Sequence, residues 1–236
     1  MDVATIRRRG EVLRAIRDHL GRAGYLEVET PRLAATPIPE SHIELFRTVL
    51  RSREGGEEQL FLLPSPEYWL KQLIAAGSGN IFEIARCFRN VEEITPYHRR
   101  EFTMLEFYTL SADAGDSIAL TEELIRAVVA RTDTSLLDPE VRSTLRESTP
   151  YPTMTMAEAF DRFAGIDLNA HLSLDALSRA AQARGMGVSE EDGWEELFQR
   201  LFLTHVEPEL PTERPLFLTD YPAAIPTLAR QKPGTP

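Results

Sequence analysis

Cysteine is nearly absent from this chain: Cys87 is the only one in 236 residues. That excludes an intramolecular disulfide and a thiolate-based zinc site, and it makes Cys87 a small strand residue before it is a nucleophile. Long apolar runs are absent too. Nothing approaches the roughly 18 residues of a membrane-spanning helix, and the N-terminal MDVATIRRRGEVLRAIRDHL lacks the apolar core of a secretory signal. A soluble cytoplasmic protein with no membrane partner is the expectation. Positive charge is scarce: 26 Lys and Arg face 37 Asp and Glu, for a net charge of −11. This balance opposes the counterion-release binding that dominates nucleic-acid affinity. A nucleic-acid partner would need a local basic patch, and Arg7, Arg8 and Arg9 are the only such run; a solvated helix face is the simpler account of them. No HExxH or clustered metal set occurs, and His171 and His205 stand alone.

What the chain does have is a hydrophobic content of 42%, enough for a core in one large domain or two small ones. Its most informative stretch is 81–110, IFEIARCFRNVEEITPYHRREFTMLEFYTL. Both ends alternate with the period of a strand. In the second strand Phe102, Met104, Glu106, Tyr108 and Leu110 share one face, and Glu101, Thr103, Leu105, Phe107 and Thr109 share the other. A carboxylate between a methionine and a tyrosine is costly to bury without a partner, so Glu106 should meet a cation. In the first strand Glu83, Ala85, Cys87 and Arg89 share a face, and small residues flanked by charges read as the wall of a cavity. The loop at 90–100 holds His98, Arg99, Arg100 and two glutamates. It is too long for a tight hairpin turn and too charged for a core. It reads either as a solvated hairpin loop or as a grip for a polyanion, since arginine forks match phosphate oxygens.

Along the rest of the chain, apolar spacing predicts a helix over 3–23 closed by Gly24, then a strand in GYLEVETPRL stopped by Pro31. Strands are predicted at 43–50 and 59–63, and a helix over 66–76 with Ser65 as N-cap and Pro66 in its first turn. Glu67 is favoured there by the helix dipole. A helix over 111–131 precedes a polar linker through Pro152, then helices near 156–163, 174–184 and 191–204. Prolines bound a last apolar strand, PLFLTDYP at 215–222.

Phe88-Arg89-Asn90, acidic residues, His98 and Glu101-Phe102-Thr103-Met104-Leu105-Glu106-Phe107-Tyr108 resemble motif 2 of class II aminoacyl-tRNA synthetases, in the lysine, aspartate and asparagine subgroup. Residues 12–33 resemble motif 1, which builds the dimer interface of that family. SPEYWLKQLIAAG at 65–77 resembles the matching segment of the elongation factor P lysine ligases, truncated relatives of lysyl-tRNA synthetase. Those ligases have serine before Pro-Glu, where lysyl enzymes tend to have alanine. The implied fold is α+β, an antiparallel sheet flanked by helices, forming one catalytic domain with a helical insertion at about 140–208. Motif 3, a glycine-rich strand and helix ending in an ATP-binding arginine, has no counterpart in the sequence, so the chain reads as C-terminally incomplete and its activity alone is in doubt.

The resemblance implies activation of lysine or β-lysine by ATP with Mg2+, the metal's ligands lying outside this chain. It implies transfer of the adenylate to elongation factor P, with tRNA an unlikely partner and a homodimer the working form. By the same resemblance Arg89 is catalytic at the α-phosphate, and Asn90, Glu92, His98, Arg99 and Phe102 join it around ATP. Ser65, Pro66, Glu67, Glu106 and Tyr108 hold the amino acid. Val91 departs from the pattern, intervening where the family places a glutamate, and Arg99-Arg100 replace the usual Asn-Pro. Both changes bear on the adenine contacts of Glu92 and Arg99. Fewer than 30 residues precede motif 1, too few for an anticodon-binding domain, which favours the elongation factor P ligase. A lysyl-tRNA synthetase catalytic domain, and a non-catalytic synthetase-like binding protein, are the alternatives.

Overall fold

Helix α1, Val3–Arg22, begins where the Asp2 carboxylate accepts the Thr5 N–H at 3.1 Å. It ends in a Schellman turn: Gly24 takes the left-handed φ of 86°, and the Tyr25 N–H returns to the Leu20 carbonyl at 3.0 Å. Only glycine adopts that backbone without a Cβ penalty. The computed structural model describes residues 2–38, 43–91, 98–225 and 229–232. It divides the chain into two units, Met1–Asp133 and Thr134–Pro236.

In the first unit the strand predicted after Gly24 is broken in two, β1 (Leu26–Glu27) and β2 (Leu33–Ala34). Between them Thr30 turns inward to serve the buried Glu83, and this takes the segment out of the ladder. Strands β3 (Arg47–Arg51) and β4 (Glu57–Leu62), helix α2 (Glu67–Ala75), strands β5 (Ile81–Phe88) and β6 (Glu101–Tyr108) and helix α3 (Ala114–Arg131) follow. One sheet has the order β1-β5-β6 and a second the order β2-β4-β3. The β5–β6 ladder is antiparallel, with Ile81 opposite Tyr108 and Phe88 opposite Glu101. Strand β1 joins β5 in parallel, so this sheet is mixed where the resemblance implied an antiparallel one. In that pairing Leu26 lies opposite Ile81 and Glu27 opposite Phe82.

Alternation decides which face of β5–β6 is covered. Phe82, Ile84, Leu105 and Phe107 pack with Leu20 of α1 and Leu120, Leu124 and Val128 of α3. The opposite face carries Glu83, Ala85, Cys87, Phe102, Met104, Glu106 and Tyr108, as the period-two reading of both strands expects. Helix α3 opens with a capping box in which Asp113 and Asp116 exchange backbone N–H bonds at 3.1 and 2.9 Å. The basic run of α1 is tied to its own unit: Arg8 pairs with Asp133 at 3.0 Å, and Arg9 donates to Thr103 at 2.5 Å.

The second unit holds α4 (Pro139–Arg146), β7 (Thr153–Thr155), α5 (Met156–Ala159), α6 (Leu174–Ala183), α7 (Trp194–Leu201) and β8 (Phe217–Thr219). Helices α5 and α7 each run on into a π-helical turn, Phe160–Ala164 and Phe202–Val206. Its core is aromatic: the Phe198 ring stacks on Phe160 at 5.0 Å and on Trp194 at 5.3 Å, with Met156, Leu177, Leu197 and Leu201 buried around them. Strand β8 realises three residues of the predicted 215–222 strand, parallel to β7. The predicted polar linker contains a helix instead, α4. No residue of α4 is fully buried, and its apolar pair Val141 and Leu145 is too short a stripe to stand out; Asp138 capping the Glu140 N–H at 2.8 Å, with Pro139 in the first turn, is what starts it. Among the described residues no helix is long and apolar enough to cross a membrane.

Candidate active site

The open face of β5–β6 has an acidic end and a basic, aromatic end. At the acidic end Glu106 is held by two hydroxyls, one on each carboxylate oxygen. Ser65 Oγ donates to Oε2 at 2.8 Å, and Tyr108 OH donates to Oε1 at 2.9 Å. Ser65 Oγ itself accepts the Glu67 N–H at 2.9 Å, which leaves its single proton for Glu106. Burial pushes the Glu106 carboxyl above the usual carboxylate range. The two hydroxyls pull it back, Glu67 pushes it further up, and Lys71 opposes. Burial, and then the charge of Glu106, push the Tyr108 phenol far upward, so it stays protonated and donating.

Helix α2 brings Ser65 and Glu67 to this carboxylate. The helix proper starts at Glu67, but Pro66 before it already has helical backbone angles, and the Ser65 hydroxyl accepts the Glu67 N–H, the bond that the predicted cap should make. Pro66 is buried at the helix start. Glu67 is partly exposed and forms an i,i+4 ion pair with Lys71.

At the other end the Arg89 guanidinium lies over the Phe102 ring, 5.3 Å from its centroid. The Arg89 N–H donates to the Arg100 carbonyl at 3.0 Å and closes the mouth of the loop. Asn90 is turned to Glu44, which accepts its backbone N–H on the carbonyl at 2.9 Å and its side-chain amide on Oε1 at 3.3 Å. Val91, the residue that departs from the motif, has a left-handed φ of 58° and is 70% exposed; for a β-branched residue this backbone is strained. His98 and Arg99 are exposed, and Glu92 lies outside the described residues.

Ala85, Cys87 and Met104 separate the two ends. Positions 102 and 106 are four strand residues apart, roughly 13 Å. The face therefore accommodates an elongated ligand, cationic at one end and anionic with a flat ring at the other. Cys87 is fully buried, and burial raises its thiol to about 11, against the pull of Arg32. It is inert at neutral pH. The Arg89–Phe102 pair suits the phosphates and ring of ATP. Among the described residues no group of three or more His, Cys, Asp or Glu side chains could hold a metal ion, so the Mg2+ implied above finds no protein cage among them.

One set of residues escaped the sequence reading. Thr30 and Arg32 close around Glu83, which is only 3% exposed. The alternation placed Glu83 on the cavity wall without a partner. The signal that could have found one is Arg32, an arginine directly after the strand-stopping Pro31.

Residues 3–236 match the family model of class II tRNA synthetases (D, K and N). The lysine–tRNA ligase of Dehalococcoides mccartyi is 35% identical over 228 residues, covering 97% of this chain and 44% of the ligase. That of Pelotomaculum thermopropionicum is 34% identical over 230 residues, with the same coverage. The elongation factor P–(R)-β-lysine ligase of Erwinia tasmaniensis is 34% identical over 236 residues, covering 98% of this chain and 66% of that ligase. The chain thus spans less than half the length of these lysine–tRNA ligases and about two thirds of the elongation factor P ligase. Two strands that present an arginine beside a phenylalanine and a hydroxyl-held glutamate, within a match running almost end to end, place this chain in the class II tRNA synthetase family (D, K and N).

Proposed function

We propose that the chain forms part of an ATP-dependent ligase that activates lysine or β-lysine as an adenylate and passes it to a lysine side chain of elongation factor P. The observation that carries this reading is the Ser65–Glu106–Tyr108 cluster. It offers a half-buried carboxylate to a cationic side chain, and it uses a serine where the lysyl enzymes tend to have alanine. In the first step the substrate carboxylate attacks the α-phosphate of ATP, and the bond to the β-phosphate breaks to release pyrophosphate. Arg89 supplies a fixed cation where that negative charge develops, Phe102 stacks on the adenine, and His98 and Arg99 approach the phosphates and base from the loop. Glu67 takes the α-amino end and Glu106 with Tyr108 the distal ammonium. In the second step the acceptor amine attacks the acyl carbon, AMP leaves, and the amine gives up a proton as the amide forms.

A protein acceptor is favoured over tRNA by the net charge of −11 and by the use of Arg8 and Arg9 inside their own unit. The second reading, a lysine–tRNA ligase, is favoured by the 35% identity to such a ligase. The complete protein, given labelled lysine or β-lysine and ATP, is expected to label elongation factor P and to leave bulk tRNA unlabelled. Comparable charging of tRNA would replace the first reading by the second.

The same reading makes residues 140–208 a helical insertion in one catalytic domain of a cytoplasmic enzyme, and the working form a homodimer joined through 3–33. Val3, Ile6, Leu26 and Leu33 are exposed apolar side chains in that segment, which association would cover. Sedimentation at micromolar concentration should show a dimer; a monomer throughout would remove this part of the proposal.

A further inference from the structure

Glu83 and Glu106 are direct partners across the β5–β6 ladder. Side chains so placed rise from the same face, and like charges there repel. The two carboxylates are treated very differently. Glu106 meets hydroxyls and is open to a ligand. Glu83 is sealed: its Oε1 accepts the Thr30 N–H at 3.1 Å and an Arg32 Nη2 proton at 2.9 Å, and its Oε2 accepts the Thr30 hydroxyl at 2.7 Å. Arg32 is fixed in turn, donating to the Thr30 carbonyl from Nε at 3.0 Å and from Nη2 at 2.9 Å. Its Nη1 is buried without a hydrogen-bond partner. A neutral donor would meet Glu83 without burying that group, so what arginine adds here is its positive charge, 2.9 Å from the carboxylate.

We propose that Arg32 is a positioning residue for the amino-acid pocket: it neutralises Glu83, so that of the two carboxylates facing each other across the ladder only Glu106 presents negative charge to a cationic substrate. The inference rests on the reading above for the identity of that substrate. The charged and titratable groups that face Glu106 are Glu67 and Lys71 from α2, Tyr108 from β6 and Glu83 directly across the ladder, and Cys87 on β5 interacts with both glutamates as well as with Arg32 and Arg89. The buried Cys87 thiol senses this field directly. Glu106 and Glu83 oppose its ionisation, while Arg32 and Arg89 favour it.

Without Arg32, Glu83 stands as an uncompensated negative charge opposite Glu106, and Glu106 holds its proton to higher pH. The test is a pH titration of the complete protein carrying 13C-labelled glutamate side chains, with the Glu106 signal identified by its loss in Glu106→Gln. In Arg32→Met the Glu106 midpoint should rise by roughly 1 unit or more. The acid limb of kcat/KM for lysine in pyrophosphate exchange should move up with it. Adding Glu83→Gln should return both to their wild-type positions, and Arg32→Lys should leave both in place. A folded Arg32→Met protein whose Glu106 titration is unchanged would overturn the proposal. Should Arg32→Met fail to fold, Arg32→Gln, which keeps hydrogen-bond donors and removes the charge, decides: a raised Glu106 midpoint supports the neutralising role, and an unchanged one overturns it. If the wild-type protein exchanges no pyrophosphate with lysine, the functional reading falls, and the carboxyl titration still decides the role of Arg32.

Discussion

A Glu106→Gln enzyme should activate lysine several hundredfold less well than the parent protein, with little change in folding or ATP binding. Losing one charged partner in a partly dry pocket typically costs about 3–5 kcal/mol, which is roughly a hundredfold to a few thousandfold in rate. Folding survives because glutamine fits the same hydrogen-bond pattern. Its carbonyl can accept from Ser65, whose proton has no other direction while Glu67 donates to the same oxygen. Its amide can donate to Tyr108, whose hydroxyl is free to reverse its role. The measurement is pyrophosphate exchange by the complete protein on its cationic substrate. Near-normal exchange would show that Glu106 is only a satisfied wall residue, and the amino-acid pocket would have to be sought elsewhere.

Arg89→Ala should act at the other end of the face and without regard to the amino acid. Removing one fixed donor from a site of developing negative charge costs about 10²–10³ in turnover. The change also removes the cation from above the Phe102 ring, 5.3 Å away, and with it part of the stacking surface for a base. Turnover should fall for every amino acid tried, whereas Glu106→Gln should discriminate against cationic ones. A variant series in which Arg89→Ala changed only the KM for lysine would exchange the assigned roles of the two ends.

The ladder that carries both ends was legible in the sequence because alternation is a local signal. Phe82 and Phe107 reach the core, and Glu106 and Tyr108 reach the open face, for the same reason. The long helices were legible from spacing and caps. What stayed hidden depends on partners far along the chain. Thr30 and Arg32 meet Glu83 across 53 and 51 residues, and that contact both breaks the predicted 24–33 strand and covers Glu83 where it stands beside Glu106. Helix α4 is hidden for the opposite reason: its two apolar residues, Val141 and Leu145, are only partly buried and make too short a pattern among polar neighbours. Ser65 was read as a cap and also, by resemblance, as a substrate-side residue; its hydroxyl faces both Glu67 and Glu106 because it accepts one bond while donating the other.

The two hydroxyls on Glu106 also set a limit on what its carboxylate can recognise. An ionised carboxylate offers about four lone-pair sites, and Ser65 and Tyr108 occupy one on each oxygen. One site per oxygen remains. A primary ammonium brings three N–H donors, so this carboxylate satisfies two of them and the third must turn to water or another acceptor. A secondary ammonium brings two, and for it the count closes. Hydrogen bonding at Glu106 therefore cannot by itself distinguish a lysine-like amine from its singly N-alkylated form; that discrimination falls to the walls beside the carboxylate and to the space they leave for a methyl group.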